Sequence, residues 1–228
     1  MLGMPIVTAQ WHICPPPLFR YLENKYVDAF FNDGTLRLSS FAQFKKHNDE
    51  QRQDKHEGEA FFVEQTNHGS GQTIEIFSSY GDNAYILSSC MRYDKKLAEL
   101  FSCDSYIKIN DTTNFGIAVA QQIPLLMAGF EGPCVYRSAK ILAKDMEQPP
   151  KDIQQFKNKD GLVDISKLTD SVTGQHPSHL PYFLKDNAYA TQVEYRFVWI
   201  TKNPVEEPLT IKVPQAVQFC EKPNTLNQ

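Results

Sequence analysis

Cysteine is scarce and unpatterned: five residues in 228, Cys14, Cys90, Cys103, Cys134 and Cys220, with no C-x-x-C pair. That spacing excludes a zinc ribbon or a disulfide framework and leaves reduced thiols as the default, so no chemistry is assigned to them. Positive charge is not in excess either. Twenty-three Lys and Arg stand against 27 Asp and Glu, for a net charge of -4 and a pI near 5.9, which excludes a protein whose whole surface coats nucleic acid. No apolar run approaches the length of a bilayer span, and the first residues lack a basic region followed by an apolar stretch. The expectation is a cytoplasmic protein with no membrane partner. Internal repeats, a GxGxxG after a strand, a GxxxxGK[ST] and an EF-hand loop are all missing, which removes Rossmann, P-loop and EF-hand readings.

What the sequence does contain is ordinary globular composition, 41% apolar, 22% charged and 12% aromatic, which predicts one domain over residues 1–228. Short β-rich runs recur at 18–22, 36–41, 59–65, 73–79, 84–90, 114–120 and 134–139. Helical spacing is confined to 24–32, stopped by Asp33-Gly34, and to 94–101, where Asp94 is a candidate N-cap. Thr66 to Gln72 reads as a hairpin connection. The polar stretch 140–179, with Pro149-Pro150 and Asn158-Lys159-Asp160-Gly161, reads as a mobile loop insertion, and His176 and His179 fall in loop because Pro177 lies between them. Residues 209–213 can pair back on a strand over 191–200. The pattern predicts an α+β fold built on a mainly antiparallel, twisted sheet with a few helices.

The strand over 191–200 is the most informative segment. Val193, Tyr195, Phe197 and Trp199 alternate as one apolar face, and Gln192, Glu194 and Arg196 share the other with Val198 and Ile200. The row Gln-x-Glu-x-Arg reads either as a half-exposed ion pair or as a cleft wall that holds a carboxylate. Arg20 shares a strand face with Leu18 and Leu22; if buried, it requires a carboxylate, a carbonyl or an anionic ligand. Ser39 and Ser40 end the strand that follows Gly34. Asp49, Glu50, Asp54 and Glu57 crowd the stretch 47–59, which reads as a solvated charge run.

The order of these blocks resembles a family of bacterial domains of unknown function with abortive-infection relatives. The matching pieces are Phe19-Arg20-Tyr21-Leu22, Gly34 to Phe41, Asn48-Asp49, Ile86-Leu87-Ser88-Ser89-Cys90, Phe115 to Val119 and Val193-Glu194-Tyr195-Arg196. They cover most of the chain, which departs after Asn48-Asp49 in having Glu50-Gln51-Arg52 where relatives continue Pro-Phe-Glu. More distantly the order resembles the ADP-ribosyltransferase plan of an Arg or His on the first strand, a Ser or Tyr on the second and a Glu on a late one. That resemblance implies an ADP-ribosyltransferase-like sheet and NAD as substrate. It implies that Glu194 stabilises the ribosyl cation and that Gln192 orients the acceptor. Arg20 would hold a phosphate or ribose oxygen, Ser39 or Ser40 the nicotinamide amide, and Tyr21, Phe41 or Tyr80 a stacking wall.

The expected function is therefore an NAD-dependent ADP-ribosyltransferase or NAD glycohydrolase, in the setting of a toxin or phage-defence effector. Its acceptor would be a protein, a nucleic acid, a small molecule or water. Two other readings stand beside it. One is a non-enzymatic binding module in which Glu194 and Arg196 form an internal ion pair, and the other is a metal-dependent nuclease that uses the acidic stretch 47–59. Convergence of Arg20, Ser39 and Glu194 on one open cleft separates the first from the second.

Overall fold

The computed structural model describes residues 16–46, 59–65, 73–138, 141–145 and 179–223. Strand β1 (Leu18–Leu22) leads into helix α1 (Asn24–Asp33), which buries Val27 and Phe30 on one face. Gly34 stops the helix with φ 77° and returns its N–H to the Phe30 carbonyl, which aims the chain into β2 (Thr35–Ser40) and then α2 (Phe41–Lys46). A Cβ on Gly34 would fall 2.3 Å from Pro214 N and 2.4 Å from the Val213 carbonyl carbon, both backbone atoms. Gly34→Ala is expected to cost roughly 3 kcal/mol through left-handed strain and overpacking. In a chain of this size that lowers the thermal midpoint by roughly 6–12 °C. An unchanged midpoint would mean that the segment after Val213 yields without cost.

The hairpin of β3 (Glu59–Gln65) and β4 (Thr73–Ser79) follows, with β3 also parallel to β9 (Ile141–Asp145). The main sheet is built on β5 (Ala84–Cys90), which pairs antiparallel along its whole length with β11 (Glu194–Thr201). On its far edge β11 meets β7 (Leu126–Pro133). The other edge of β5 is shared. Its start pairs with β2, Ser39 opposite Ile86 and Ser40 opposite Tyr85, and its end pairs with β1, Phe19 opposite Cys90. β1 continues to β6 (Ser105–Ile109) and β13 (Cys220–Glu221), and β2 continues to β12 (Leu209–Lys212). The sheet therefore splits beside residues 87–89 of β5, and this split positions the site.

Both faces of β11 are buried. Tyr195, Phe197 and Trp199 join Leu18, Leu87 and Ile107 under Phe30 of α1 and Phe115 of α4 (Thr112–Ala120), while Val198 packs with Ala84, Ile86, Phe41, Tyr182 and Phe183 on the other side. The architecture is α+β with a curled, mainly antiparallel sheet, as the sequence predicts.

Several local expectations are corrected. Residues 114–120 form a helix rather than a strand: Asp111 accepts the Asn114 N–H at 3.1 Å, and Phe115, Ala118 and Val119 reach the core at helical spacing. β12 pairs with β2 instead of folding back on β11. The expected strand over 134–139 is shortened to β8 (Val135–Arg137), which lies parallel to β10 (Leu184–Asp186). Phe41 begins α2 instead of ending β2. In the expected insertion 140–179, residues 141–145 form β9, and residues 146–178 lie outside the described residues. So do residues 47–58 of the acidic stretch. Among the described residues no helix is long and apolar enough to cross a membrane.

Candidate functional site

A cavity of about 630 Å³ opens where β1 and β2 part from β5. Arg20 reaches across the split from β1, its Nη1 donating to the Ser88 carbonyl of β5 at 2.8 Å and its Nη2 to the Arg37 carbonyl of β2 at 3.4 Å. The guanidinium thus serves backbone oxygens from both strands that flank the opening. Tyr21 spends its hydroxyl on the fold as well. The Asp94 N–H donates to it at 2.6 Å, just ahead of helix α3 (Lys95–Leu100), and burial raises its pKa to about 12.

Glu194 stands at the start of β11, only 4% exposed. Arg196 Nε and Ser88 Oγ both donate to its Oε1 at 2.6 Å, and Lys185 Nζ donates to its Oε2. Burial alone would raise the carboxyl, but the charges of Arg196 and Lys185 outweigh it and hold the group well below the usual carboxylate range. Glu194 is therefore ionised throughout the neutral range. Arg196 is 1% exposed and also donates through Nη1 to the Tyr182 carbonyl at 2.8 Å. Lys185 comes from β10; its Nζ donates to Gln192 Oε1 at 2.8 Å and sits 4.9 Å from the Tyr189 ring centroid. Cys90 lines the cavity, but burial first and then the Glu194 charge push its thiol up to about 12, so it stays protonated and unreactive.

Local backbone strain marks this corner. Gln192 does not lie on β11; it closes a 3-10 helix over Asn187–Gln192, whose start is capped by Asp186 accepting the Ala188 N–H at 2.8 Å. Val193 then takes φ 45° and ψ 52°, an outlier for a β-branched residue and the kind of strain that persists when surrounding contacts dictate it. This turn brings the side chains of Gln192 and Glu194 to the same lysine. The Tyr136 hydroxyl, which accepts the Glu194 N–H at 2.7 Å, and the Cys134 N–H, which donates to the Glu194 carbonyl at 2.9 Å, fix the strand at that point.

Of the residues predicted from sequence, Arg20, Tyr21, Ser39, Gln192 and Glu194 line one cavity. Ser40 does not: it is fully buried on the other face of β2, donates to the Glu206 carbonyl at 2.8 Å and accepts the Gln43 N–H at 3.2 Å, a cap for α2. Phe41 and Tyr80 pack with Tyr182 in a core cluster and leave Tyr21 as the predicted aromatic at the cavity.

Sequence reasoning missed Lys185, Arg37, Ser88, Ser89 and Gln43. Lys185 had a readable signal, since a lone cation after Leu180-Pro181-Tyr182-Phe183-Leu184 demands a partner. Four cationic side chains, Arg20, Arg37, Lys185 and Arg196, face two carboxylates, Glu23 and Glu194, so the cavity has a positive excess. Ser89 Oγ and Gln43 Oε1 are buried in its wall with no hydrogen-bond partner among the described residues. Such atoms are costly to leave unmatched and mark positions where a polar ligand or water is received. No protein-family model, curated protein or solved structure matches this chain, so its functional reading rests on the chemistry of the cavity.

Proposed function

We propose that the chain cleaves the nicotinamide–ribose bond of NAD, as an ADP-ribosyltransferase or an NAD glycohydrolase. The observation that carries this reading is a carboxylate kept ionised in a positively charged cavity that it shares with Arg20, Tyr21, Ser39 and Gln192. Departure of nicotinamide leaves positive charge on the ribosyl ring, as glycoside cleavage does. A fixed carboxylate out of bulk water stabilises that charge far better than solvent. The cationic excess suits the two phosphates of the substrate, with Arg20, Arg37 and Lys185 all in the cavity lining. Gln43 Oε1 and Ser89 Oγ supply an acceptor and a hydroxyl for the polar edges of the ligand. Turnover to free ADP-ribose would drain cellular NAD, the outcome expected of a toxin or phage-defence effector.

A second reading is favoured by one specific observation: both Glu194 oxygens are already engaged by Arg196, Ser88 and Lys185. A carboxylate so fully matched can be a structural element of a module that binds an anionic nucleotide without changing it. The deciding experiment is release of free nicotinamide from NAD by the purified chain, run with and without protein, nucleic acid and small-molecule acceptors. Catalytic release supports cleavage. NAD binding with no release under every acceptor condition selects the binding module.

A further inference from the structure

Two cations hold Glu194, and their anchoring differs. Arg196 is tied to a side chain and to the backbone, Nε to Glu194 Oε1 and Nη1 to the Tyr182 carbonyl, and is 1% exposed. Among the described residues the Lys185 ammonium bonds side chains of the cavity wall, Glu194 Oε2 and Gln192 Oε1. Its four-carbon stem can re-aim the ammonium without any change in the β10 backbone. If Lys185 turned away, Glu194 would keep Arg196 and Ser88 on Oε1 and would not be stranded. If Arg196 turned away, the Tyr182 carbonyl would lose its donor.

We propose that Lys185 is the receptor for the pyrophosphate group of the ligand, held in reserve on Glu194 until that group arrives. A pyrophosphate offers several anionic oxygens to an ammonium that in the cavity wall bonds the Glu194 carboxylate and the Gln192 amide oxygen. Transfer of Lys185 from Glu194 to phosphate opens Oε2 toward the ribose side of the cavity. Binding of the phosphates and exposure of the carboxylate then become one event, so binding energy from a remote part of the substrate prepares the reacting centre. Lys185 acts here as a positioning residue. The inference rests on the reading of the cavity as a dinucleotide site, and its test does not depend on turnover.

The experiment is calorimetric titration with inorganic pyrophosphate. In wild type, the ligand must compete with Glu194 for Lys185. Glu194→Gln leaves an acceptor of nearly the same shape but without the charge that retains the ammonium, so pyrophosphate is expected to bind about tenfold or more tightly than to wild type. The gain is expected to vanish in the double variant Glu194→Gln with Lys185→Gln. Glu194→Asp, which keeps the charge but withdraws it from Lys185, is titrated in parallel and is expected to bind several-fold more tightly, roughly; it decides the matter if the Gln variant fails to fold. Unchanged or weaker binding in the folded Glu194 variants, or a gain that survives in the double variant, would overturn the proposal. A chain that tightens on pyrophosphate yet releases no nicotinamide would sink NAD cleavage while leaving the role of Lys185 standing.

Discussion

Glu194→Gln is expected to lower nicotinamide release by roughly a hundred- to a thousandfold, which is the scale seen when one preorganised electrostatic group is taken from a reacting centre. At about 1.4 kcal/mol per decade this amounts to roughly 3–4 kcal/mol of transition-state stabilisation. The amide fills nearly the same space, and its single oxygen can keep Arg196 Nε and Ser88 Oγ while its NH2 takes the place of Oε2 beside Lys185 Nζ. What disappears is the negative charge that faces the ribosyl cation. The loss should therefore fall on kcat, with KM unchanged or lowered, because no ground-state contact to the substrate is removed. Initial-rate measurements over a range of NAD concentrations separate the two. Retention of kcat in the folded variant would take Glu194 out of the mechanism, and a loss confined to KM would make it a binding group. The readout is informative because Glu194 is both the best-paired and the most buried carboxylate facing the cavity.

The sheet was legible wherever alternation and turn chemistry acted locally. β1, α1, β5 and the β3–β4 hairpin follow from runs bounded by Gly34, the 66–72 connection and Gly81-Asp82-Asn83. Non-local pairing was not legible. Nothing in Leu209–Lys212 distinguishes β2 from β11 as its neighbour, because the choice depends on the split in the sheet, which no single segment encodes. The apolar run over 114–120 is short enough to suit either period, and the Asp111 cap together with close packing against Phe197 decides for helix; a Cβ on Gly116 would lie 3.2 Å from that ring. The same logic divides the site. Arg20, Ser39 and Glu194 announced themselves as polar groups on strands with apolar neighbours. Gln192 lines the cavity with Glu194, but the left-handed turn at Val193 rather than strand alternation delivers it. Ser39 and Ser40 could not be separated until β2 had a buried face, which turned Ser40 inward to cap α2. Lys185 required knowing that a three-residue strand returns beside β8 and reaches the start of β11.

Arg196→Met should be the most destabilising single change at the site, at about 3–5 kcal/mol, the cost of breaking a buried ion pair from one side. In a chain of this length that is a fall of roughly 6–20 °C in the thermal midpoint. The methionine fills much of the volume, so the loss is electrostatic: Glu194 keeps Lys185 and Ser88 but loses its closest guanidinium, and the Tyr182 carbonyl loses its donor. The variant also predicts a change in acid sensitivity, with a sign fixed by linkage. Glu194 has a folded-state pKa held far below its ordinary 4.5, by Arg196 and then Lys185 acting against burial. Near and below 4.5 the unfolded chain therefore binds more protons than the folded one, and stability rises with pH. The contribution is fully present above that value and is lost progressively as pH falls beneath it. Without Arg196 the folded pKa moves back toward 4.5, so less stability remains to be lost in acid. Urea denaturation at several pH values between about 7 and 3 should give a shallower decline for Arg196→Met than for wild type, from a lower starting point. Parallel declines would mean that Lys185 alone keeps the carboxylate charged, and Arg196 would then count as a packing residue with a backbone hydrogen bond.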